Sequence, residues 1–400
     1  MKDQTYVGGR RAMNIAMMSA WNTDSGVSVH AELIGRAWVE MGHDLKVFSF
    51  SASDFHGTAI VGKDEDYVVR CFTTSRCRRP YLDPRPILAS NYEVLVVQDL
   101  GMLPMDELAK IFHRIRAKAS TVHVVHANGP SPDPSFYQFD WDRIVCFDHR
   151  YEEFLREYYP EESISVIPFP CHPMRRGDRG EARRRLGLPQ KKRIALIFGQ
   201  RLKEHVPILP LLSEVASHVP LLVLFVSQKD LDELVGIRGF EMEVRKESPS
   251  LERLYDYLHA ADVLILHRRP SDGVVVSSTA YQCLGSGCPI LAAASNFFET
   301  LGDAVITYSG PREFKDSLLD ILHRGKRFET SQRVLEDFVG ANSAEVVARR
   351  YIELFQALKM RREESLSHQI SRIVAQIGSA AFAREAVGSR TGPGHLRISP

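Results

Sequence analysis

Short apolar segments of strand length recur along this chain, and helical patterns separate many of them. The first segment, MNIAMMS at 13–19, precedes a turn-rich loop, a helical pattern at 29–42 and the apolar run LKVFSF at 45–50. Continuous apolar runs joined through a helix are typical of parallel strands, because such strands are buried on both faces. The order strand, loop, helix, strand therefore predicts a βαβ unit and an α/β fold.

The apolar segments form two series separated by a basic stretch. Further strands of the first series are expected at 92–98, 120–126, 142–147 and 163–170, and those of the second at 193–199, 220–227, 261–267, 288–294 and 303–308. HPMRRGDRGEARRRLGLP at 172–189 lacks a strand pattern, so we place a linker near 168–180 and expect the arginines at 183–185 to face solvent. The chain has 400 residues, more than the roughly 250–300 at which one core stops growing.

We therefore predict two Rossmann-like domains, each with a parallel sheet, facing each other across a cleft that holds the ligand site. The predicted segments are an N-terminal extension at 1–12, an N-terminal domain at 13–168, a C-terminal domain at 169–340, a helix at 341–360 that packs back toward the N-terminal domain, and a tail at 361–400 with a flexible end.

Composition excludes several classes of function. The formal net charge is +1, so no overall field attracts nucleic acid or anionic lipid. None of the six cysteines forms a CxxC pair, and no Cys/His cluster has metal-ligand spacing, which indicates reduced thiols and no metal. The polar start MKDQTYVGGRRAMN does not resemble a signal peptide, and no segment reaches the roughly 20 apolar residues of a membrane span. We expect a soluble cytoplasmic protein.

Two loops have the composition of a phosphate site. The loop SAWNTDSGVSVH at 19–30 places a glycine and small polar residues between a strand and a helix, where free backbone N–H groups suit an anion. A strict GxGxxG is absent, so an ordinary βα turn is an equally good interpretation. The second loop carries three consecutive hydroxyl side chains at a predicted helix start, and capping needs only one. They are Ser277, Ser278 and Thr279.

In order and spacing, five segments resemble the family-4 retaining glycosyltransferases, which have the GT-B fold. They span residues 13–358 and comprise the start of the first domain, TVHVVHANGP, SVIPFPCHP, FGQRL and ADVLILHRRPSDGVVVSSTAYQCLGSGCPIL. The resemblance implies transfer of a hexose from a nucleoside-diphosphate sugar to a small-molecule, glycan or lipid-linked hydroxyl acceptor. It also implies retention assisted by the leaving diphosphate, with no cofactor and no metal.

The resemblance assigns roles to individual residues. His126 matches a histidine that contacts the transferred sugar, and Arg201 matches an arginine that neutralises the diphosphate. The family's lysine five residues after that arginine is replaced by Val206, and Lys203 is the nearest substitute. The loop before the first helix faces the donor phosphates or the acceptor, and its residues are Ser25, Gly26 and Val27.

The chain departs from the family at its pair of glutamates seven residues apart. Gln282 stands where the second glutamate holds the ribose, and an amide can still bond a hydroxyl. Val274 stands at the first, and Asp272 substitutes only if the loop bulges. The missing carboxylate leaves open a catalytically degenerate GT-B protein with a binding or scaffold role. Another enzyme of two Rossmann-like domains, such as an epimerase or a phosphorylase, is a further alternative.

Three other features have a structural interpretation beside a functional one. The acidic groups KDEDY at 63–67 and DWD at 140–142 are expected in polar turns rather than at a metal. The basic amphipathic pattern at 107–120 fits a solvated helix face, and peripheral membrane contact is the alternative.

Overall fold

The structure, a computed structural model, describes residues 6–7, 10–51, 62–228 and 239–388. A short antiparallel hairpin of β1 (Tyr6–Val7) and β2 (Arg10–Arg11) comes first. The strands of the first domain are β3 (Asn14–Met18), β4 (Asp44–Phe50), β5 (Val68–Phe72), β6 (Val94–Gln98), β7 (Ser120–Val124), β8 (Arg143–Cys146) and β9 (Ile164–Val166). They form one parallel sheet in the order β5-β4-β3-β6-β7-β8-β9. Its helices are α1 (Gly26–Glu40), α2 (Pro84–Ala89), α3 (Met105–Lys118) and α4 (His149–Leu155).

The second domain has a six-stranded parallel sheet. Its strands are β10 (Arg193–Phe198), β11 (Leu221–Val226), β12 (Glu241–Arg245), β13 (Val263–Leu266), β14 (Ile290–Ala293) and β15 (Ile306–Tyr308), in the order β12-β11-β10-β13-β14-β15. Its helices are α5 (Arg179–Leu186), α6 (Leu209–Ala216), α7 (Leu251–Ala260), α8 (Ser278–Leu284), α9 (Pro311–His323) and α10 (Lys326–Asn342). The predicted fold class, two parallel-sheet α/β domains, is confirmed.

In both sheets the order in which the chain adds strands reverses beside the first strand. From β3 the chain adds β4 and β5 on one side and then returns to the other side for β6. The second sheet repeats this pattern around β10, with β11 and β12 on one side and β13 on the other. Ligands of open α/β sheets bind at the carboxyl ends of the strands beside such a reversal. The topology therefore directs attention to the loops that follow β3, β7, β10 and β13.

The sequence analysis missed one strand of each parallel sheet, and both are edge strands. β5 has three half-buried residues at its start, and β12, of sequence EMEVR, has no fully buried residue. An edge strand faces solvent, so its sequence lacks the continuous apolar run that marked the central strands. The central β6 and β11, in contrast, are buried at every position.

The chain passes between the domains twice, at neighbouring points. The backbone N–H of Cys171 donates to the carbonyl of Asn342 at 2.9 Å, and that of Ala344 donates to the carbonyl of Cys171 at 2.7 Å. The linker region also corrects one expectation, because Arg183 is 3% exposed rather than solvated. Its guanidinium donates to the carbonyl of Ala260 and pairs with Asp262.

The helix predicted at 341–360 begins at Ala344 as α11 (Ala344–Gly388). Its first turns pack on the N-terminal domain, where the indole N–H of Trp38 donates to the carbonyl of Ala348. Residues from Glu353 onward form a separate compact unit, in which the helix continues to Gly388 where a tail was expected. Residues 389–400, part of the predicted flexible end, lie outside the described residues, as do 1–5 and 8–9 of the predicted extension.

Candidate active site

A cavity of about 670 Å³ lies between the carboxyl ends of the two sheets. The first domain contributes the residues that follow β7, namely His126, Ala127 and Asn128. The second domain contributes the loops after β10, β13 and β14, through Arg201, Lys203, Glu204, Arg269, Pro270, Ser271, Val275 and Phe297. Three of the predicted site residues therefore line one cavity, and they are His126, Arg201 and Lys203.

The wall from the second domain is positively charged. The guanidinium of Arg201 lies 5.8 Å from the ring centroid of Phe297 and 3.5 Å from the carboxylate of Glu204. Glu204 also accepts a hydrogen bond from the backbone N–H of Arg269 at 3.2 Å. Three cationic side chains thus face one carboxylate around the cavity, an arrangement that suits a ligand of more than one negative charge.

A further arginine, Arg268, is buried behind this wall and contacts two of its residues. Arg268 is 6% exposed, and burial lowers the pKa of its guanidinium to about 10. It donates to the carbonyl of Arg201 at 3.4 Å and lies 3.9 Å from Glu204. The sequence analysis missed both Arg268 and Arg269, although the pair directly follows β13 in the motif HRRP.

His126 is held by the neighbouring strand. Its Nε2 lies 2.9 Å from Oε1 of Gln98, the last residue of β6, and its ring centroid lies 5.1 Å from that of His30. Burial, together with His30 and His123, holds the pKa of His126 well below its ordinary value. Burial also lowers the pKa of His30 to about 3. The ring that lines the cavity is therefore neutral.

His123, three positions before His126, has a structural role. It is fully buried within β7, and its Nε2 accepts a hydrogen bond from the backbone N–H of Leu100 at 3.2 Å. Burial lowers its pKa to about 3. Two histidines three positions apart thus differ in role because one lies inside the strand and the other follows its end.

The two loops predicted to bind phosphate contact each other. Ser25 caps α1 by accepting from the N–H of Ser28 at 3.2 Å, and Ser277 caps α8 by accepting from that of Ala280 at 3.3 Å. A Cβ atom on Gly26 would lie 2.9 Å from Oγ of Ser278, so the two helix starts meet there. Val27 is buried, whereas Ser278 and Thr279 are half-buried. None of these side chains lines the cavity of about 670 Å³.

The loop that follows β13 is fixed against the first domain. The N–H of Val274 donates to the carbonyl of Asn128 at 2.8 Å, and a Cβ on Gly273 would lie 1.9 Å from that oxygen. The side-chain amide of Asn296 bonds Ser271 and Gly273 at 2.8–2.9 Å. The structure does not bring Asp272 to the other predicted site residues, because its side chain is exposed and does not line the cavity.

Gln282 lies in a second, smaller hollow of about 70 Å³. Both domains line it, with Thr23 and Asp24 on one side and Gly199, Ser227 and Glu247 among the residues on the other. Gly199 has φ of 118°, a conformation that glycine adopts readily and that turns the chain sharply after β10. The structure therefore separates Gln282 from Arg201, with the turn at Gly199 between the two hollows.

Arg150 joins the two domains and was missed by the sequence analysis. It pairs with Asp148 of its own domain at 2.8 Å. Across the domains it donates to the carbonyl of Asn296 at 2.8 Å and to the carboxylate of Glu299 at 2.6 Å. Gln200 forms another link between the domains, from its amide to the carbonyl of Asp24 at 3.1 Å. No sequence pattern marks either residue, since only the packing of the domains places their partners.

The acidic groups noted in the sequence have structural partners. In the run at 63–67, Asp64 pairs with Arg70 at 2.7 Å and Glu65 pairs with Arg36 at 2.9 Å. Asp142 accepts from the backbone N–H of Thr121 at 2.7 Å. Within the described part of the chain, no group of three His, Cys, Asp or Glu side chains is placed to hold a metal ion.

Basic side chains of α3 also form hydrogen bonds and ion pairs within the protein. Lys118 donates to three carbonyls at the end of α2, and Lys110 pairs with Glu107 at 2.6 Å. Arg116 pairs with Asp140. Across the described residues, every helix is either too short or too polar to span a bilayer.

No protein-family model matches the sequence. Sucrose-phosphate synthase from Thermosynechococcus elongatus aligns over 86% of this chain and 99% of its own, with 15% identity and a TM-score of 0.60. The chain shares the GT-B fold. Anabaena HepE, in complex with UDP and glucose, aligns over 86% of this chain and 100% of its own, with 12% identity and a TM-score of 0.59. The pneumococcal O-GlcNAc transferase GtfA, in complex with UDP and GlcNAc, aligns over 87% and 99%, with 12% identity and a TM-score of 0.58.

Proposed function

We propose that the protein transfers a sugar, of hexose type, from a nucleoside-diphosphate sugar to an acceptor hydroxyl. The observation that carries this proposal is the cavity between the sheets, which faces a neutral His126 on one side and the cations of Arg201, Lys203 and Arg269 on the other. Two glycosyltransferases of the same fold hold UDP and a sugar, which supports a donor of this class.

The cationic wall has the chemistry that a departing diphosphate requires. When the bond between the anomeric carbon and the diphosphate oxygen breaks, its electron pair leaves with the diphosphate. Guanidinium and ammonium groups already in place stabilise that charge without reorganisation. Arg201 and Lys203 would take this role, and Arg269 adds a third cation.

The acceptor oxygen forms the new bond to the anomeric carbon as the diphosphate departs. Its proton passes to an oxygen of the leaving diphosphate, so atoms and charge balance without a protein nucleophile. Transfer on the face from which the diphosphate leaves gives retention of configuration. His126 would bond a sugar hydroxyl, and Gln282, in the adjoining hollow, would bond the ribose.

The caps of α1 and α8 bear on how the donor enters. Gly26 and Ser278 are in contact, which leaves no space for a donor between the two hydroxyl-rich helix starts. A donor can lie between them only after the domains separate. The domains would open to admit the donor and then close, which excludes water from the reaction. We propose that the six free cysteines reflect a cytoplasmic location, where thiols stay reduced.

A second candidate function is a GT-B-fold binding or scaffold protein without transferase activity. The observation that favours it concerns the carboxylates at the cavity. Glu204 lines the cavity but is paired with Arg201, and Asp272 lies outside the cavity. The position of the family's first glutamate is Val274, which is occupied in the contact with Asn128. This candidate retains nucleotide binding and lacks turnover.

Calorimetry with UDP, GDP and ADP tests the shared core of both candidates. We expect one of the three to bind, and absence of binding by all three would remove both candidates. Hydrolysis and transfer assays with sugar donors of the nucleotide that binds then separate the two candidates, because only the enzyme releases the nucleoside diphosphate from its sugar. If cations of the protein neutralise the leaving group, EDTA leaves the rate unchanged. Loss of all transfer on addition of EDTA would contradict the metal-independent mechanism.

A further inference from the structure

A second large cavity lies at the opposite end of the second domain. Its volume is about 720 Å³, and it is lined by the starts of β10, β13 and β14 and by the junction of α9 and α10. The candidate active site lies at the carboxyl ends of the same strands. The two cavities lie at opposite ends of the strands, and a strand of six residues, such as β10, spans about 20 Å.

One buried carboxylate organises the inner wall of this cavity. Asp262 has a side chain that is 5% exposed, and three guanidinium groups bond it. Its Oδ1 accepts from Arg179 at 2.8 Å and from Arg193 at 3.1 Å. Its Oδ2 accepts from Arg183 at 2.8 Å and from the backbone N–H of Ile194 at 2.8 Å. Three positive charges therefore share one negative charge, and the carboxylate has no remaining acceptor site.

The opposite wall adds two arginines that form no ion pair with a described residue. Arg324 ends α9 in the left-handed conformation, with φ of 57°, and its guanidinium lies 6.0 Å from the ring centroid of Phe328. Arg333 lies on α10. Glycine is the residue that most readily adopts a left-handed helix end. An arginine there accepts backbone strain while presenting a cation to the cavity.

The charge of the lining is strongly positive for a protein of net charge +1. The ionised lining residues are five arginines against two acids, namely Arg176, Arg179, Arg193, Arg324 and Arg333 against Asp262 and Glu329. Arg176 is paired outside the lining with Glu336. The floor is apolar, with Leu258, Ile321 and Phe328. A concave site with convergent cations above an apolar floor is suited to a small anionic ligand.

We propose that this cavity binds a small phosphate-bearing anion, such as a phosphate monoester or a diphosphate. Guanidinium groups recognise phosphate oxygens in pairs, and Arg179 and Arg193 share a single carboxylate oxygen, which leaves donor groups of both available to a ligand. Arg324 and Arg333 close the anion from the opposite wall. The site is separate from the candidate active site and does not depend on the proposed transferase activity.

Calorimetric titration with inorganic phosphate and pyrophosphate tests the site. All titrations are made in both the wild-type protein and Arg201→Ala, because the active-site cavity also has cations that attract pyrophosphate. The test variant is Arg324→Gln with Arg333→Gln. The control is Arg312→Gln with Arg349→Gln, which removes the same charge from exposed positions outside the cavity.

We expect the Arg201→Ala protein to retain one pyrophosphate site. In that background the test pair should lower the affinity of the site at least tenfold, and the control pair should leave it within twofold. Equal weakening by both pairs would show a general charge effect and overturn the proposal. So would binding that disappears with Arg201→Ala alone. Absence of binding at about 10 mM pyrophosphate would overturn it too, because a site of millimolar affinity is nearly filled at that concentration. Unfolding temperatures without anion confirm that the variants fold.

A lipid headgroup carries the same phosphate chemistry, so a second arm uses membranes. The wild-type protein is sedimented with phosphatidylglycerol vesicles and with phosphatidylcholine vesicles. We expect no difference between the two, because a recessed cavity admits a free anion and not a bilayer surface. The opposite result has three parts: the protein sediments with the anionic vesicles, the test pair abolishes this sedimentation, and free pyrophosphate does not bind. That result would assign these arginines to a membrane surface instead.

Discussion

Nε2 of His126 lies 2.9 Å from Oε1 of Gln98, and this contact decides which ring nitrogen carries the proton. A carboxamide oxygen only accepts hydrogen bonds, so Nε2 of the neutral ring donates and Nδ1 is left as the acceptor. The depressed pKa of His126, caused first by burial, keeps the ring neutral at physiological pH. A neutral acceptor is suited to a sugar hydroxyl, whereas a charged ring would repel the positive charge that develops on the sugar as the diphosphate departs.

His126→Ala is expected to lower transfer at least tenfold, which corresponds to about 1.4 kcal/mol of transition-state stabilisation. Folding and nucleotide binding should remain nearly intact, because the proposed contact of the ring is with the sugar and not with the diphosphate. Steady-state transfer assays and calorimetry on the same preparation check both parts. His113→Ala, on the exposed face of α3, is the matched control. Unchanged turnover in His126→Ala would make this histidine structural.

Arg201→Gln should weaken binding of the nucleoside diphosphate at least tenfold, because it removes one of the three cations that line the cavity. The salt dependence of the affinity should also become shallower, since one ionic contact is lost. Calorimetry at low and high sodium chloride measures both effects. Arg312→Gln, which carries the same change on an exposed helix, should bind like the wild type. An unchanged affinity would remove Arg201 from the donor site.

Gly273→Ala is expected to separate the loops that join the domains. The added Cβ would lie 1.9 Å from the carbonyl oxygen of Asn128, a distance that the backbone cannot accept without moving. We expect kcat/KM to fall at least tenfold, because Ser271 and Val275, on either side of Gly273, line the cavity and would move with the loop. Gly129→Ala is the control, since its Cβ would meet no atom within 4 Å. Equal rates in the two variants would show that the observed contact plays no part in the reaction.

Stability should fall as the pH drops below about 6.5, because several histidines are buried in neutral form. Burial lowers the pKa of His30, His123 and His205 to about 3 in each case. The unfolded chain therefore takes up protons before the folded one, and stability present above the unfolded pKa is lost as the pH falls toward 3. At pH 5 each such histidine destabilises the fold by up to roughly 2 kcal/mol.

Urea unfolding at pH 7.5 and pH 5.0 measures this effect. His123→Gln retains an acceptor for the N–H of Leu100 and removes one titrating group, so its unfolding midpoint should depend less on pH. His113→Gln, at an exposed position, should follow the wild-type dependence. If His123→Gln and the wild type lose stability in parallel, the buried ring is not a source of the pH dependence.

The sequence by itself determined the two parallel sheets, because strands buried on both faces must be apolar at every position. This is why MNIAMMS, YEVLVVQ and PLLVLFVS were recognised, and why the half-exposed β5 and β12 were not. It also placed His126 and Arg201 at strand ends, since the apolar run stops where the chain leaves the sheet. Those two residues and Lys203 do line one cavity.

Only the tertiary structure decided which polar residues meet across the domains. Asn128 meets Gly273, and Arg150 meets Glu299, although more than a hundred residues separate each pair along the chain. From the sequence, the arginines at 183–185 were expected to face solvent. Arg183 is nevertheless buried, and Asp262 supplies its counter-charge. Local composition reports whether a segment needs burial. Which partner satisfies a buried charge depends on the packing of distant segments, and no local pattern encodes it.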